Sequence, residues 1–349
     1  MKLLILTQKV NLDDDVLGFM HGWIEEFSKK CGSITVVCLE QGNYKLPGNV
    51  EVFSLGKERG GLKIKYLINF YKYIWRERKN YDAVFVHMNY EYVILGGLFW
   101  QLLNKKIGLW YAHGYAPLGL KIAEKLVDII FTSTRSGFRL ASRKIKIVGQ
   151  GIDINKFEAQ DMESRANHRN KIISIGRLSP SKDYKTLILA FEILKNKGLA
   201  LRVELIGGPA VESDKIYADD LSRLVEEKKL SGMIKFIGPV AHKEISRYLR
   251  GAGLFVNMGL TGSLDKAMVE AMAAELPVIT CNEAMTEVLG DYKEVLMYPK
   301  KNYEKLAEKI EQIVNLPFAE YKELAGSLRE IVVTRHSLSE LVLKIIKEY

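Results

Sequence analysis

Short runs of apolar, β-rich residues recur along this chain, and the gaps between most of them are long enough for a helix. That tempo constrains the fold more than any other feature. In the first half the runs are LLIL (3–6), ITVVCL (34–39), AVFVH (83–87), IGLWY (107–111), IIFT (129–132) and IKIV (145–148). Between two of them, 63–79 repeats at helical spacing, with Ile64, Leu67, Ile68, Tyr71 and Ile74 on one side. Strand runs alternating with helical patterns predict a parallel sheet covered by helices. The polar, glycine-free stretch 158–170 reads as a domain connection. The tempo then restarts with IISIG (172–176), a helix at 184–197, RVELIGG (202–208), a helix near 215–229, IKFIG (234–238), LFVN (254–257), a helical pattern inside 262–280, and VITC (278–281). A last helical pattern spans 337–349. The expectation is two doubly wound, Rossmann-like α/β domains, 1–160 and 161–336, with a closing helix at 337–349 that packs back on the first. A length of 349 residues suits two cores better than one.

Charge separates the halves. Residues 1–160 carry 23 Lys and Arg against 15 Asp and Glu, while residues 161–349 carry 28 against 27, so nearly all of the net +9 belongs to the first part. Three cysteines without a C-x-x-C pattern suggest neither a disulfide framework nor a zinc site. The first apolar run is too short for a signal-peptide core, and the uncharged stretch 92–104 is too short to span a bilayer. These features predict a cytoplasmic protein, with any membrane contact peripheral and on the inner face. Helix 63–79 places Lys65, Asn69, Lys72, Arg76 and Lys79 on one stripe. A solvated face accounts for that stripe; the alternative is anionic headgroups, at about 1 kcal/mol per basic residue. No nucleic-acid module is present to favour DNA or RNA.

Ligands of open parallel sheets bind beyond the carboxyl ends of the strands. The residues that follow strands therefore carry the functional argument. After IISIG comes RLSPSKD, with Arg177 and Lys182 on one loop. An arginine fork and a lysine point charge suit a phosphate or diphosphate; the alternative is two solvated loop cations. RVELIGGP ends in Gly207 and Gly208, where backbone can approach a ligand. In GSLDKAMVEAMAAELPVIT (262–280), the turn Ser263, Leu264, Asp265, Lys266 and Ala267 opens a helix and aims free N–H groups at an anion. Glu270 lies one turn further, roughly 6 Å along the axis, on a face shared with Ala267, Ala271 and Ala274. Its two acceptor oxygens suit the vicinal hydroxyls of a ribose. Diphosphate at the helix start and ribose along its face make a nucleotide site.

These segments, SIGRLSPSKDYKTLILAFEIL, KFIGPVAHKEISRYL and DKAMVEAMAAELPVIT, resemble the donor-binding half of GT-B fold glycosyltransferases, specifically glycosyltransferase family 4. The first half is similar more loosely, through its strand tempo, the entry to its first helix and WYAHG. The resemblance implies a GT-B fold with an interdomain cleft. It implies a hexosyltransferase-type enzyme that moves a sugar from a nucleoside diphosphate sugar, UDP or GDP, to a saccharide or lipid-linked acceptor. Configuration would be retained, no metal or other cofactor would be required, and the setting would be cell-surface polysaccharide or glycolipid synthesis. By matching positions, Arg177 and Lys182 would bind the diphosphate and stabilise the leaving group, and Glu270 would hold the ribose. Backbone from Gly238 to Val240 would contact the base. Gly18 would sit near the reacting groups, and His113 would contact the transferring sugar.

One departure stands out. The family pairs glutamates as E-x(7)-E, and eight residues before Glu270 this chain has Gly262. Asp265 is the nearest replacement, although N-capping alone accounts for an aspartate there. The departure keeps open a catalytically impaired sugar-nucleotide binder, and a GT-B nucleotide-sugar epimerase is the rival among enzymes. A dehydrogenase is disfavoured, because no G-x-G-x-x-G follows the first strand. Asp13, Asp14 and Asp15 precede a helix and read as capping residues rather than metal ligands.

Overall fold

The computed structural model describes residues 1–157 and 168–349. The expected connection at 158–170 thus lies, over 158–167, outside the described residues. The chain divides into two compact units. One comprises Met1–Gly151, Ala241–Lys243 and His336–Tyr349, and the other comprises Ile152–Val240 and Glu244–Arg335. In chain order the first unit contains β1 (Lys2–Val10), α1 (Phe19–Ser28), β2 (Ser33–Gln41), β3 (Val50–Ser54), α2 (Lys63–Arg76), β4 (Ala83–His87), α3 (Tyr90–Leu102), β5 (Lys106–Trp110), α4 (Leu118–Leu126), β6 (Ile129–Thr132) and β7 (Ile145–Ile147). The second contains β8 (Lys171–Ile175), α5 (Tyr184–Asn196), β9 (Arg202–Ile206), α6 (Glu212–Glu227), β10 (Ile234–Gly238), α7 (Ile245–Arg250), β11 (Leu254–Asn257), α8 (Lys266–Ala273), β12 (Val278–Thr280), α9 (Met285–Leu289), α10 (Lys293–Leu296), α11 (Tyr303–Val314) and α12 (Phe318–Arg335). The chain then returns to the first unit as α13 (Leu338–Lys347).

The first unit's sheet is parallel throughout, in the order β3-β2-β1-β4-β5-β6-β7. Its strands are apolar on both faces, and the period of two sends alternate residues to two separate cores. Leu3 and Ile5 of β1 join Trp23, Ile24 and Phe27 of α1 and Leu341, Val342 and Ile345 of α13. Leu4 and Leu6 join Phe70 and Ile74 of α2, Trp100 of α3 and Leu120 of α4. The last residue is drawn into the structure as well. Tyr349 donates to the Val84 carbonyl at 2.8 Å, and a Cβ on Gly108 would run into its hydroxyl.

Two sequence expectations need correction here. β3 was not anticipated, because VEVFS is an edge strand with only Ser54 buried and so lacks a continuous apolar signal. The face of α2 is also shifted. Phe70 and Ile74 are its buried residues, whereas Ile64, Ile68 and Tyr71, expected against the sheet, are 58%, 60% and 43% exposed. The basic stripe is not uniformly solvated either: Asn69 donates to the Leu55 carbonyl at 2.9 Å, and Arg76 lies 4.6 Å over the Phe53 ring. Among the described residues no helix is long and apolar enough to cross a membrane.

The second unit has one parallel sheet, β10-β9-β8-β11-β12, around one core. From β8 the chain builds outward through β9 and β10, then crosses back to place β11 on the other side of β8. Neighbouring β8 and β11 therefore send their following loops in opposite directions, which opens a crevice at their carboxyl ends. α11 and α12 complete this unit. They were not singled out in the sequence, because neither carries a strand-linked motif.

Candidate functional site

The crevice between β8 and β11 is where the second unit gathers the residues predicted to bind an anion. The loop after β8 carries Arg177 and Lys182, and the loop after β11 leads through Gly262 to Asp265, the N-cap of α8. Leu260 N–H donates to the Ser181 carbonyl at 2.9 Å, so the two loops are joined directly. Lys182 Nζ donates to Asp265 Oδ2, and Asn257 Nδ2 donates to the same oxygen at 2.9 Å. The other Asp265 oxygen accepts from Ala267 N at 3.3 Å, capping the helix. Both oxygens of Asp265 are therefore engaged, one by the cap and one by the lysine. The Arg177 side chain is exposed.

The neighbouring strand ends are laced to this corner through backbone. Leu178 N–H donates to the Gly208 carbonyl at 3.1 Å, and Gly207 N–H donates to Gly238 O at 2.9 Å. Gly207 has φ +127°, and a Cβ there would collide with the Gly176 carbonyl. Only glycine permits this approach, so the GG pair has a structural cause before any ligand is considered. Gly208 packs beside Pro239, and Val240 is half-buried at the end of the same segment. Buried Tyr184 donates to Gly176 O at 3.0 Å and fixes the turn from beneath.

Glu270 is buried, only 3% exposed, one turn inside α8. Its helical neighbours are cores rather than ligand walls: Ala271 and Ala274 are fully buried, and α8 packs against α12, whose Arg329 donates to the Ala273 carbonyl. Ala267, at the helix start, is half-buried. Lys266 shares the Glu270 side of the helix at i and i+4. Burial pushes the Lys266 ammonium down to about 8, and the Glu270 carboxylate partly opposes that shift. Gly262 has φ +66°, in the left-handed region where a glutamate would be strained. The missing family glutamate is thus accompanied by a backbone that favours glycine.

Two buried asparagines that the sequence reading passed over hold this arrangement. Asn257, the last residue of β11, accepts from Gly259 N at 3.0 Å while bonding Asp265. Asn282, just after β12, donates to the Ser263 carbonyl at 2.7 Å and accepts from Ala284 N at 3.0 Å. Their only sequence signal is an amide at the end of, or directly after, a β-rich run. Leu264, between the two tethered residues, is buried.

The remaining predicted residues, Gly18 and His113, belong to the first unit. Gly18 opens α1, and a Cβ there would meet the Asp14 carbonyl at 2.5 Å. Asp14 Oδ1 accepts from Val16 N at 2.9 Å and Leu17 N at 2.7 Å, while Asp13 pairs with Lys243 at 2.7 Å and Asp14 with Lys9 at 2.9 Å. Asp13 and Asp14 are accordingly occupied by turn and ion-pair contacts. His113 follows β5 on a loop, and its Nδ1 accepts from Tyr115 N at 3.0 Å. Its imidazole is exposed at the edge yet held below its ordinary pKa, by the partial desolvation its neighbours impose and by Arg139 nearby. A neutral imidazole there can accept or donate a hydrogen bond near neutral pH.

The corner as a whole is a cation pair beside a helix start, with a carboxylate a turn below, which is suited to a phosphorylated ligand carrying hydroxyls. Comparison with known proteins bears on the family and the fold. WcaL of Escherichia coli strain K12, by name a colanic acid biosynthesis protein, is 26% identical over 57% of this chain and 49% of its own length. The amylovoran biosynthesis glycosyltransferase AmsK of Erwinia amylovora is 28% identical over 40% of this chain and 34% of its own. This chain spans about half the length, or less, of these curated relatives. Among solved structures, Anabaena Alr3699/HepE in complex with UDP and glucose superposes with a TM-score of 0.78 at 16% identity, covering 100% of this chain and 99% of that one. That likeness shows the fold, GT-B with two Rossmann-like domains. The family model for glycosyl transferases group 1 matches residues 155–330, just over half of the chain, and with that match the chain belongs to the group 1 glycosyltransferases.

Proposed function

We propose that this protein transfers a sugar from a nucleoside diphosphate sugar to a saccharide or lipid-linked acceptor, in the synthesis of a surface polysaccharide or glycolipid. The reading is that of a retaining, family 4, hexosyltransferase-type enzyme. The relatives named for colanic acid and amylovoran synthesis and the UDP complex of the Anabaena protein support it. In this reading residues 161–336 bind the donor and residues 1–160 bind the acceptor, facing an anionic membrane surface. The observation that carries the reading is the Arg177 and Lys182 loop tied to the start of α8, with Glu270 one turn below.

The chemistry follows from those groups. As the bond from the sugar to the diphosphate breaks, negative charge grows on the leaving oxygen. The Arg177 fork and the Lys182 ammonium, aided by the N–H groups at the α8 start, stabilise that charge where it develops. Asp265 acts here as a positioning residue, holding Lys182 with the help of Asn257. Glu270 accepts the ribose hydroxyls, Gly208 and Val240 line the nucleotide, and Gly18 and His113 serve the transferring sugar. UDP or GDP should raise the melting temperature of the protein, since a ligand that binds only the folded state stabilises it. A labelled nucleotide sugar should be turned over by the wild type and not by Glu270→Ala or Arg177→Ala. Unchanged turnover in either variant would remove the site assignment. A melt that neither nucleotide moves would remove the donor reading itself.

Gly262 supports a second reading, a nucleotide-sugar binder without turnover. It requires a nucleotide-induced thermal shift together with no consumption of any UDP- or GDP-sugar.

A further inference from the structure

The α2–α3 face of the first unit departs from what a surface helix usually shows. A helix covering a sheet turns its apolar residues inward and its polar residues outward. α2 does turn Phe70 and Ile74 inward, but it carries a second apolar row outside. Ile64, Ile68, Tyr71 and Trp75 follow at i, i+4, i+7 and i+11, and are 58%, 60%, 43% and 57% exposed. On the neighbouring helix α3, Leu95, Leu98 and Leu102 continue the row and reach 83% exposure at Leu102. The helices are joined at this surface, where Tyr71 donates to the Leu95 carbonyl at 3.0 Å and the Trp75 and Phe99 rings lie 5.9 Å apart. Contiguous exposed apolar residues of this kind mark a surface that meets something apolar.

A cavity of about 820 Å³ opens beside this row, beneath α2. Its lining is mostly apolar, with Leu55, Leu67, Phe70, Met88, Tyr92 and Leu95 among the residues facing it. Lys57 and Lys63 stand on its wall together with Glu91. The cavity lies at the carboxyl ends of β2, β3 and β4, where an open parallel sheet receives ligands. Charge identifies the occupant. Residues 57–79 contain eight Lys and Arg against two acids, so the segment around this apolar surface keeps a cationic excess even with Lys57 paired to Glu40 at 3.3 Å and Arg76 to Glu77 at 2.6 Å. Arg78 lies 4.3 Å over the Trp75 ring, an amphipathic pairing suited to the boundary between hydrocarbon and water. A protein partner would have to bring an acidic rim around an apolar centre. An anionic lipid surface presents that combination without further requirement.

We propose that the α2–α3 face rests on an anionic lipid surface and that the cavity beneath α2 takes the aliphatic or isoprenoid chain of a phosphate-bearing amphiphile, the lipid-linked acceptor. This rests on the glycosyl transfer proposed above and selects the lipid-linked acceptor over a free saccharide. The phosphate faces Lys57 and Lys63, and the chain lies against Leu67 and Phe70.

Two measurements on the full chain test it. The protein should float with phosphatidylcholine vesicles containing phosphatidylglycerol and much less with phosphatidylcholine alone. Ile68→Asp and Trp75→Asp should abolish flotation while leaving the UDP-induced thermal shift in place. Dodecyl phosphate should bind better than dodecanol, and Leu67→Trp or Leu95→Trp, which fill the cavity, should lower its affinity at least tenfold without loss of flotation. Absence of flotation in the folded wild type, or dodecyl phosphate affinity untouched by both tryptophans, overturns the proposal. Because UDP binding is read separately, loss of the UDP shift with lipid binding intact would count against the donor reading and not against this one.

Discussion

The donor corner of the second unit and the α2–α3 face of the first answer the same question in opposite ways. At the donor corner, polar groups are brought together and satisfied from within. Lys182, Asn257 and the α8 cap converge on Asp265, and glycine backbones at 176, 207 and 238 interlock beneath. On α2 and α3, apolar groups are left standing in solvent with no such compensation. A polar site has to be built before its ligand arrives, because each buried polar group needs a partner. An apolar docking face gains its stabilisation only when covered. The first kind is therefore sensitive to single atoms, and the second to summed area.

The largest effect tests the donor side of this contrast. Arg177→Ala should lower turnover at least about 100-fold, as removal of one preorganised group at a developing charge commonly does. Glu270→Ala should do so by removing the ribose contact and leaving a buried gap in α8. Steady-state rates with a labelled UDP- or GDP-sugar would show it, and a loss below tenfold would make the corner no more demanding than the apolar face. Gly207→Ala comes next. Its φ of +127° and the blocked Cβ position should cost about 1–3 kcal/mol or more, read as a lower melting temperature. Asp265→Ala removes a helix cap worth about 1 kcal/mol and releases Lys182, whereas Asp265→Asn keeps the cap. A raised KM for the donor, with the asparagine variant melting above the alanine one, would separate the two tasks of this residue.

A subtler effect concerns pH. The Lys266 ammonium is held down to about 8 in the folded protein from an ordinary 10.5, so between those values the unfolded chain binds more protons. Folding stability gained from this group should thus rise with pH across that window. The melting temperature of wild type relative to Lys266→Met should increase as pH is raised through it. Smallest of all, Ile68→Asp should change stability by no more than about 0.5 kcal/mol, since the side chain it removes packs on little. A large destabilisation there would mean the row belongs to the core and would erase the contrast.

Legibility in the sequence follows the same division. The strand runs, their tempo and the RLSPSKD, GG and LDKAMVE segments were readable, because each is a local pattern whose cause lies within a few residues. β3 was hidden, since an edge strand needs only partial burial and VEVFS alternates charge with apolar residues. The alanines beside Glu270 suggested room for a ligand, yet Ala271 and Ala274 are spaced for α12, a helix some 50 positions later. Asn257 and Asn282 escaped notice because an amide after a strand gains meaning only when the partner loop is known. On α2, periodicity located one apolar side but could not say which of its residues faced the sheet. That choice is made by β-strand side chains such as Leu4 and Leu6, against which Phe70 and Ile74 fit.

The return of the chain as α13 has a consequence for the order in which the protein is built. One of the two cores flanking the first sheet needs Leu338, Leu341, Val342 and Ile345, and Tyr349 reaches the strand backbone at Val84. In chain order those residues follow the whole second unit. During synthesis a second unit able to close on itself therefore emerges while one face of the first unit's sheet is covered by α1 without α13. The earlier-made unit is thus the later to be finished, and its exposure to chaperones and proteases should persist until α13 has emerged.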